Sequence, residues 1–577
     1  MSPRMAEDET SRVAGDSRPE ADLARPADPI RRLQDWLSRW RGWLFAGLAV
    51  LYLAGFTGTW RLGEDSSLYL VLARSLAEGE GFRFGGQWHR FGFPGLPWLM
   101  APLYRLFGEA APAAATWLML LITGLTLAGV YRLFRLHAGA GVAVAMVLAL
   151  GVCENFYRYG FQVRNDMPYL LGIVAVLAGY EGLRRGREQG GRPAVDWAMV
   201  AGGMAVLTCM RPVMLVFHAA LLAAAAWGVA WGPKRAMHAV LVAMSVAAVL
   251  LFFQLDPRRQ AEPTPAGPPA AVASHNAQAE ATLEAEAEAQ AASEKPEHVP
   301  RYESSLRSKL VHWPHTLERG LEHWAKLTWG GVLCEAVLGI ELGHGVLNAP
   351  FAAVLLFAGL LLAWKRPVWG LFVAATLGQM LLFPPLERYL LPVIPLLLFA
   401  GWQALTWASR RLPDDRSKWL VTGVLILALG PNLGLCVAFI AEQRAADTYA
   451  AQDGGRFARV PHIAQAVEAN VPLDAVLISE EVRILTLLTH RPGRTAAEAN
   501  SRWRIGEGSD ARWRPPDREV WAVLHIPMTP GQRKLIESSG VRVAKEAARS
   551  APRGNVDDVA SLSEAERGWR LVRLAFD

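Results

Sequence analysis

Asp65 is a carboxylate of this sequence placed where it could act as a base. It stands in the run Gly63-Glu64-Asp65-Ser66, just ahead of a segment whose Leu68, Tyr69, Leu72, Ala73 and Leu76 share one helical face and which Gly79 closes. The spacing predicts a helix over residues 66–78, lying on a lipid surface. A carboxylate at its start has two readings. It can serve as an N-cap, satisfying the first amides, and held by those same amides it can act as a general base. Basic residues stand around it in sequence: Arg74 on the same segment, His89-Arg90 after a glycine-rich stretch, Arg164-Asn165-Asp166, Arg211-Pro212, and Arg388-Tyr389. Their plainer readings are a surface ion pair for Arg164 with Asp166, snorkelling for Arg211, and interfacial placement for Arg388-Tyr389 and for His89 beside Trp88.

The elements that must position these residues are read from hydropathy. The chain has 577 residues, 52% of them hydrophobic, 19% charged and 22 of them Trp; a soluble domain carries about 25% charge. Apolar runs fall at residues 42–60, 112–131, 142–157, 168–183, 197–210, 213–231, 237–255, 346–364, 367–384, 389–409 and 418–440, about eleven spans of the bilayer. If they alternate, the inner connections hold Arg132 and Arg135, then Arg184, Arg185, Arg187 and Arg192, then Lys234-Arg235, Lys365-Arg366, and Arg410, Arg411, Arg416 and Lys418. All are basic, as the positive-inside rule requires. Arg31, Arg32, Arg39 and Arg41 keep the N-terminus in the cytoplasm, and an odd count puts the C-terminus outside. The net charge of +6 therefore reports topology, and no nucleic-acid motif or patch stands out.

Three outer segments result: residues 61–112, where Pro94, Gly95 and Pro97 shape a re-entrant turn, a short loop at 158–166, and residues 256–345. The last opens on a low-complexity tether rich in Ala, Glu and Pro that cannot bury a core. The first thirty residues read as disordered and carry no secretory signal, so the first span is a retained anchor. From residue 441 the pattern turns to a small α/β domain, with helices over 457–469 and 480–489 and strands over 475–479, 520–526 and 569–576. It has no glycine fingerprint or metal spacing and reads as a binding or stability module. Cys153, Cys209, Cys334 and Cys436 lie in or beside apolar runs without ligand spacing and behave as small apolar residues.

The order of these motifs resembles the GT-C glycosyltransferases. Acidic residues after the first span, the segment Tyr69 to Ala77 with Ala-Arg-Ser-Leu-Ala, a glycine-rich stretch and Phe-Pro-Gly-Leu-Pro recur there. So do Arg164-Asn165-Asp166 and Glu387-Arg388-Tyr389-Leu390-Leu391-Pro392. The chain is most similar to bacterial relatives of protein O-mannosyltransferases and lipid A aminoarabinose transferases, the family 39 group. The likeness covers about residues 42–440, and many relatives have Asp-Glu where this chain has Asp65-Ser66.

The resemblance implies a polytopic α-helical membrane protein with an extracytoplasmic α/β tail, divided at about residues 41 and 440. It implies a hexosyl- or pentosyltransferase of the bacterial inner membrane that uses a polyprenyl-phosphate sugar and inverts the anomeric carbon. Asp65 maps to the family's base, with Glu64 beside it, and Asp166 to its second acidic position. Arg74, Arg90, Arg164, Arg211 and Arg388, with His89 and Tyr389, become candidates for holding the lipid phosphate. A monophosphate leaving group calls for a metal less than a nucleotide diphosphate does, so no cofactor is expected and a divalent metal stays open. The acceptor is left open among protein, lipid and glycan. Two rivals stand beside this reading. A transporter would need ionisable residues at mid-membrane and paired broken helices, and an inactive relative would bind lipid as a scaffold.

Overall fold

The computed structural model of the chain describes residues 29–58, 60–61, 63–84, 87–89, 94–186, 192–211, 214–231, 234–255, 366–379, 387–409, 415–444, 460–473, 475–479, 482–491, 493–494, 519–526, 541–550 and 568–576, with single residues at 353, 357 and 411. Most of the expected N-terminal tail, Arg90, Cys334, the low-complexity tether and nearly all of the expected span 346–364 lie outside them.

Long apolar helices dominate. Helix α1 (Pro29–Gly55) has 27 residues, about 40 Å of rise. After α2 (Glu64–Ala77), a short hairpin (β1, Arg83–Phe84; β2, Gln87–Trp88) and α3 (Gly95–Phe107) comes α4 (Ala111–Gly151). Then follow α5 (Glu154–Tyr159), α6 (Asp166–Arg185), α7 (Pro193–Met210), α8 (Met214–Trp231) and α9 (Arg235–Leu255). Beyond the undescribed stretch lie α10 (Pro367–Gln379), the single turn α11 (Glu387–Leu390), α12 (Ile394–Ser409) and α13 (Asp415–Gln443). Among the described residues three helical runs are long and apolar enough to cross a membrane, Gly95–Gly151, Pro193–Met210 and Arg235–Gln254. Leu121, Leu125, Trp227, Leu250, Leu251, Trp407 and Val437 remain exposed, an apolar surface that lipid, not water, accommodates.

Two sequence expectations change. Arg132 and Arg135 do not lie in a loop: α4 carries them on to a sharp break at Gly139, whose φ of 83° and ψ of 174° only glycine adopts without strain. The connection shrinks to a corner between two arms of one assigned helix. Nor do Pro94, Gly95 and Pro97 form a re-entrant turn. They open α3, with Pro94 at the N-cap position, because proline suits a first helical turn. Gly95 is there for contact. A Cβ on it would meet the Cys209 carbonyl oxygen at 2.5 Å, so α3 touches the backbone of α7 next to Arg211. Gly95→Ala is expected to push these helices apart, destabilising by about 1–3 kcal/mol. A thermal melt of the purified chain checks it, and an unshifted melt would remove the close contact from the account.

The bundle has two chemically distinct ends. At one, Arg444 Nε donates to Ala54 O (3.0 Å), Tyr157 Oη to Leu51 O (2.8 Å) and Asn165 Nδ2 to Met210 O (2.8 Å), tying α1, α5, α6, α7 and α13. At the other, the basic residues expected between spans collect. Arg132 pairs with buried Asp196, Arg184 with Glu181 (2.8 Å), and Lys234 caps the carbonyls of Leu183 and Arg184. Asp65 and Asp166 stand at the first end.

The C-terminal segment carries α14 (Val460–Asn470), α15 (Val482–Thr489) and a five-stranded sheet. Its strands β3 (Val476–Ile478), β4 (Gly493–Arg494), β5 (Val520–Ile526), β6 (Val541–Ser550) and β7 (Gly568–Phe576) run in the order β4-β3-β5-β7-β6. Strand β3 is parallel to β4 and β5, and the β5–β7 and β7–β6 pairs are antiparallel. The sequence pattern missed β6, whose Ala, Lys and Glu favour helix and whose pairing slips between Val543 and Lys545 and again between Glu546 and Ala548.

Candidate active site

Helix α2 starts two residues earlier than its hydrophobic face suggests. Gly63 occupies the N-cap position, and Ser67 Oγ donates to its carbonyl (2.7 Å). Asp65 is therefore the second helical residue, and the capping role the sequence suggests for it is corrected. The expected surface-lying helix is also more enclosed than expected. Leu70, Val71, Leu72 and Ala73 are all buried, because α3 covers one side and α15 another.

The released Asp65 carboxylate meets arginines from three distant segments. Its Oδ2 accepts from Arg164 Nη2 (2.8 Å), on the turn before α6, and from Arg388 Nη1 (2.9 Å), on α11. Its Oδ1 lies 3.7 Å from Arg483 Nη1, on α15. Asp166, the first residue of α6 and almost fully buried, stands beside it. Arg211 Nη1 is 2.9 Å from its Oδ1, and Arg164 Nε is 3.3 Å from its Oδ2. Arg164 thus bridges both carboxylates. The Tyr389 ring lies under the Arg388 guanidinium (5.2 Å to its centroid) and near that of Arg211 (6.0 Å), and Tyr159 lies under Arg164 (5.4 Å), holding each fork by cation–π attraction.

The sequence candidates divide accordingly. Asp65, Asp166, Arg164, Arg211, Arg388 and Tyr389 come together. Arg74 does not: its guanidinium donates to the carbonyls of Thr486 and Leu487 (3.2 Å each) and meets His490 Nδ1 (2.8 Å). His89 packs its ring near Phe82 and Phe84 on the hairpin instead. Glu64 begins α2, but its side chain, like Arg90, lies outside the described features. Three further residues were not among the site candidates. Tyr69 shares a hydrogen bond with Asn165, and its place four residues after Asp65 on one helical face was the signal available. Asn165 ties the cluster to the end of α7. Arg483 has no sequence signal, being 418 residues from Asp65.

Electrostatics set the protonation. Burial by itself pushes the Asp65 carboxyl up, but Arg164, Arg388 and Arg483 outweigh it and hold it below its usual 3.8. Burial pushes the Tyr69 phenol up to about 12, so it stays protonated at working pH. The linkage follows. A depressed carboxylate contributes stability that is complete above its usual value and is lost as pH falls through the lower folded value. Arg388→Met brings the folded value back up toward the usual one, so the loss is expected to be smaller and to be complete at higher pH, read from thermal melts between about pH 2 and about pH 5. Coincident wild-type and variant curves would contradict it.

Among the described side chains, four guanidiniums face two carboxylates, an excess of two positive charges. Arg164 Nε, Arg388 Nε and both Asp166 oxygens, although ion-paired or adjacent to charge, complete no hydrogen bond among the described residues. The cluster therefore has donors to spare for a multiply charged anion, and arginine forks match phosphate geometry. Among the described residues no group of three His, Cys, Asp or Glu side chains gathers to hold a metal ion.

A family model described as "Dolichyl-phosphate-mannose-protein mannosyltransferase" matches residues 93–253, a stretch holding Arg164, Asp166 and Arg211. No curated protein sequence matches the chain. Among solved structures the chain is similar to ArnT from Cupriavidus metallidurans in the apo state, with a TM-score of 0.53 and 15% identity over 92% of this chain and 97% of that one. The same protein bound to undecaprenyl phosphate gives 0.52 and 15%, over 93% and 98%. The Archaeoglobus fulgidus oligosaccharyltransferase in complex with zinc and sulfate gives 0.50 and 13%, over 83% and 68%. At such identities the likeness is one of fold.

Proposed function

We propose that this chain, which has the GT-C fold, is a membrane glycosyltransferase that moves a sugar from a polyprenyl-phosphate donor to an acceptor on the extracytoplasmic side. The observation that carries the reading is the excess of two positive charges around Asp65 and Asp166. A polyprenyl-phosphate sugar bears one negative charge and releases a lipid monophosphate that approaches two. A site with that surplus binds the leaving group more tightly than the donor, which is what lowers a barrier. Undecaprenyl phosphate is bound by the similar ArnT structure. The basic residues collected at the opposite end of the bundle support an outward-facing site under the positive-inside rule, with the N-terminus in the cytoplasm and a bacterial inner membrane as the setting.

The residues divide the work. The donor's tail stays in lipid while its phosphate settles among Arg164, Arg211 and Arg388. Drawing Arg164 and Arg388 toward phosphate takes two cations from Asp65 Oδ2 and restores basicity that the empty site suppresses. Asp65 then accepts the proton of an acceptor hydroxyl as its oxygen attacks the anomeric carbon opposite the phosphate. The bond from that carbon to the phosphate oxygen breaks with its electrons on the departing polyprenyl phosphate, and the anomeric configuration inverts. Asp166, out of solvent, keeps Arg164 and Arg211 aimed.

Steady-state turnover of labelled polyprenyl-phosphate sugars tests this. Arg388→Ala is expected to raise the donor KM about 10- to 100-fold, the worth of a charge-assisted hydrogen bond. A variant that matches wild type in donor KM and kcat would sink the assignment.

A further inference from the structure

Arg74 and Arg483 lie on the two helices of one interface, between α2 beside the bundle and α15 of the C-terminal segment. Among the described side chains, polar contacts join the helices at two places. At its start α2 offers Asp65, 3.7 Å from Arg483 at the start of α15. Nine residues on, Arg74 donates to the Thr486 and Leu487 carbonyls at the end of α15 and meets His490. A cation on the terminal carbonyls of a helix is favoured by the helix dipole. Two contacts, at Asp65 and Arg74 on α2 and at Arg483 and the Thr486 and Leu487 carbonyls on α15, fix how α15 seats on α2, since a slip of one turn, about 5.4 Å, would carry Arg483 out of reach.

The end of α15 is built to hold this pose. His490 has a φ of 58°, the left-handed region that His visits more readily than most residues, and this turns its ring onto Arg74. Buried Arg491 donates through Nη1 to Thr489 O (2.7 Å) and through Nε to Val471 O (2.8 Å), locking α15 to the end of α14. The two oxygens of Asp65 are divided between the halves of the molecule. Oδ2 faces Arg164 and Arg388 of the bundle, and Oδ1 faces Arg483, whose side chain is 36% exposed. The groups facing Asp65 are thus Arg164 from the turn before α6, Arg388 from α11, Arg483 from α15 and Tyr69 from its own helix, with Asp166 and Arg211 just beyond.

We infer that the C-terminal segment is a working part of the site. Docking of α15 through Arg74 delivers Arg483 to Asp65, and Arg483 stays on that carboxylate when the donor phosphate draws Arg164 and Arg388 away. Arg483 is a positioning residue: it holds the ionised base in place at the moment the other two cations leave. The inference rests on the transferase reading above, and it reassigns Arg74 from phosphate binding to docking.

The test uses the full chain in lipid nanodiscs with labelled polyprenyl-phosphate sugars. Arg483→Ala is expected to lower kcat about 10-fold or more while donor KM changes less than about three-fold, a loss confined to the activated complex. The acid limb of its pH–rate profile moves to higher pH, and Arg483→Lys recovers part of both. Arg74→Ala acts in the same direction, and the double variant is no worse than the poorer single, since one interaction is lost once. A second measurement needs no activity. In a chain whose native cysteines are replaced by Ala, Asp65→Cys with Arg483→Cys is treated with a short bis-maleimide and is expected to link the two halves. Absence of the link overturns the docking. A link with wild-type kcat and pH profile in Arg483→Ala overturns the role. A wild type that consumes no donor while the link forms fails the transferase reading, and the role of Arg483 falls with it.

Discussion

Asp65→Asn is expected to cut the rate of sugar transfer by about 10²- to 10⁴-fold, the usual worth of a general base, while the protein folds and binds donor as before. Asn keeps the volume of Asp and can still accept from Arg164 and Arg388 at 2.8 and 2.9 Å, but it cannot take a proton. The Asp65 side chain is 40% exposed, so water moderates the repulsion among the arginines left behind, and the melting temperature should fall only by the modest amount that the ionised carboxylate contributes. The surplus of positive charge rises from two to three, so affinity for the lipid phosphate should be kept or increase. This separation is diagnostic. A structural carboxylate would lose stability along with activity. Single-turnover rates and donor affinity of wild type and variant, measured side by side, check it. Retained turnover in Asp65→Asn would assign the proton to another group.

Asp166→Ala is expected to fail the other way. Only 1% of that side chain reaches solvent, and its partners Arg211 and Arg164 are 13% and 16% exposed. Removing one partner of a buried ion pair leaves the other charge desolvated and unpaired, at a cost of about 3–5 kcal/mol. Thermal melts should show a large fall for Asp166→Ala and a smaller one for Asp166→Asn. Asp166→Leu combined with Arg211→Leu should recover much of the stability without recovering transfer, because an apolar pair replaces an ionic one at little net cost while the phosphate loses Arg211. An Asp166→Ala chain that melts with wild type and turns over normally would mean that Asp166 does not position these arginines.

Asp65 and Asp166 were legible in the sequence because each follows an apolar run and opens a helical one, so chemistry and topology coincide at one residue. Arg164, Arg211 and Arg388 were legible for the same reason: each sits where a run ends, and alternation sends all three to one end of the bundle. What pattern reading missed has a physical cause in each case. Gly63, not Asp65, takes the cap position, and the arginines from distant segments hold the Asp65 carboxylate instead of the helix amides. The corner at Gly139 needs one residue where basic side chains suggested a loop. The phenol of Tyr69 was hidden within an apolar face. Arg483 belongs to a segment that reads as a small α/β module, and only the docking of α15 on α2 brings it 418 residues back along the chain to Asp65. Long-range pairing of that kind leaves no local periodicity to read.

The central claim is that the charge cluster around Asp65 consumes a lipid-phosphate sugar. The most direct measurement incubates purified wild type in nanodiscs with a panel of labelled polyprenyl-phosphate sugars and an envelope extract, and follows donor loss, polyprenyl phosphate release and the anomeric configuration of the product. The expected result is consumption of one donor, release of polyprenyl phosphate in equal amount and inverted configuration in the product. A wild type that binds the lipid phosphate yet leaves every donor of the panel intact, with extract present, would contradict the claim and leave the cluster a lipid-binding site without transfer.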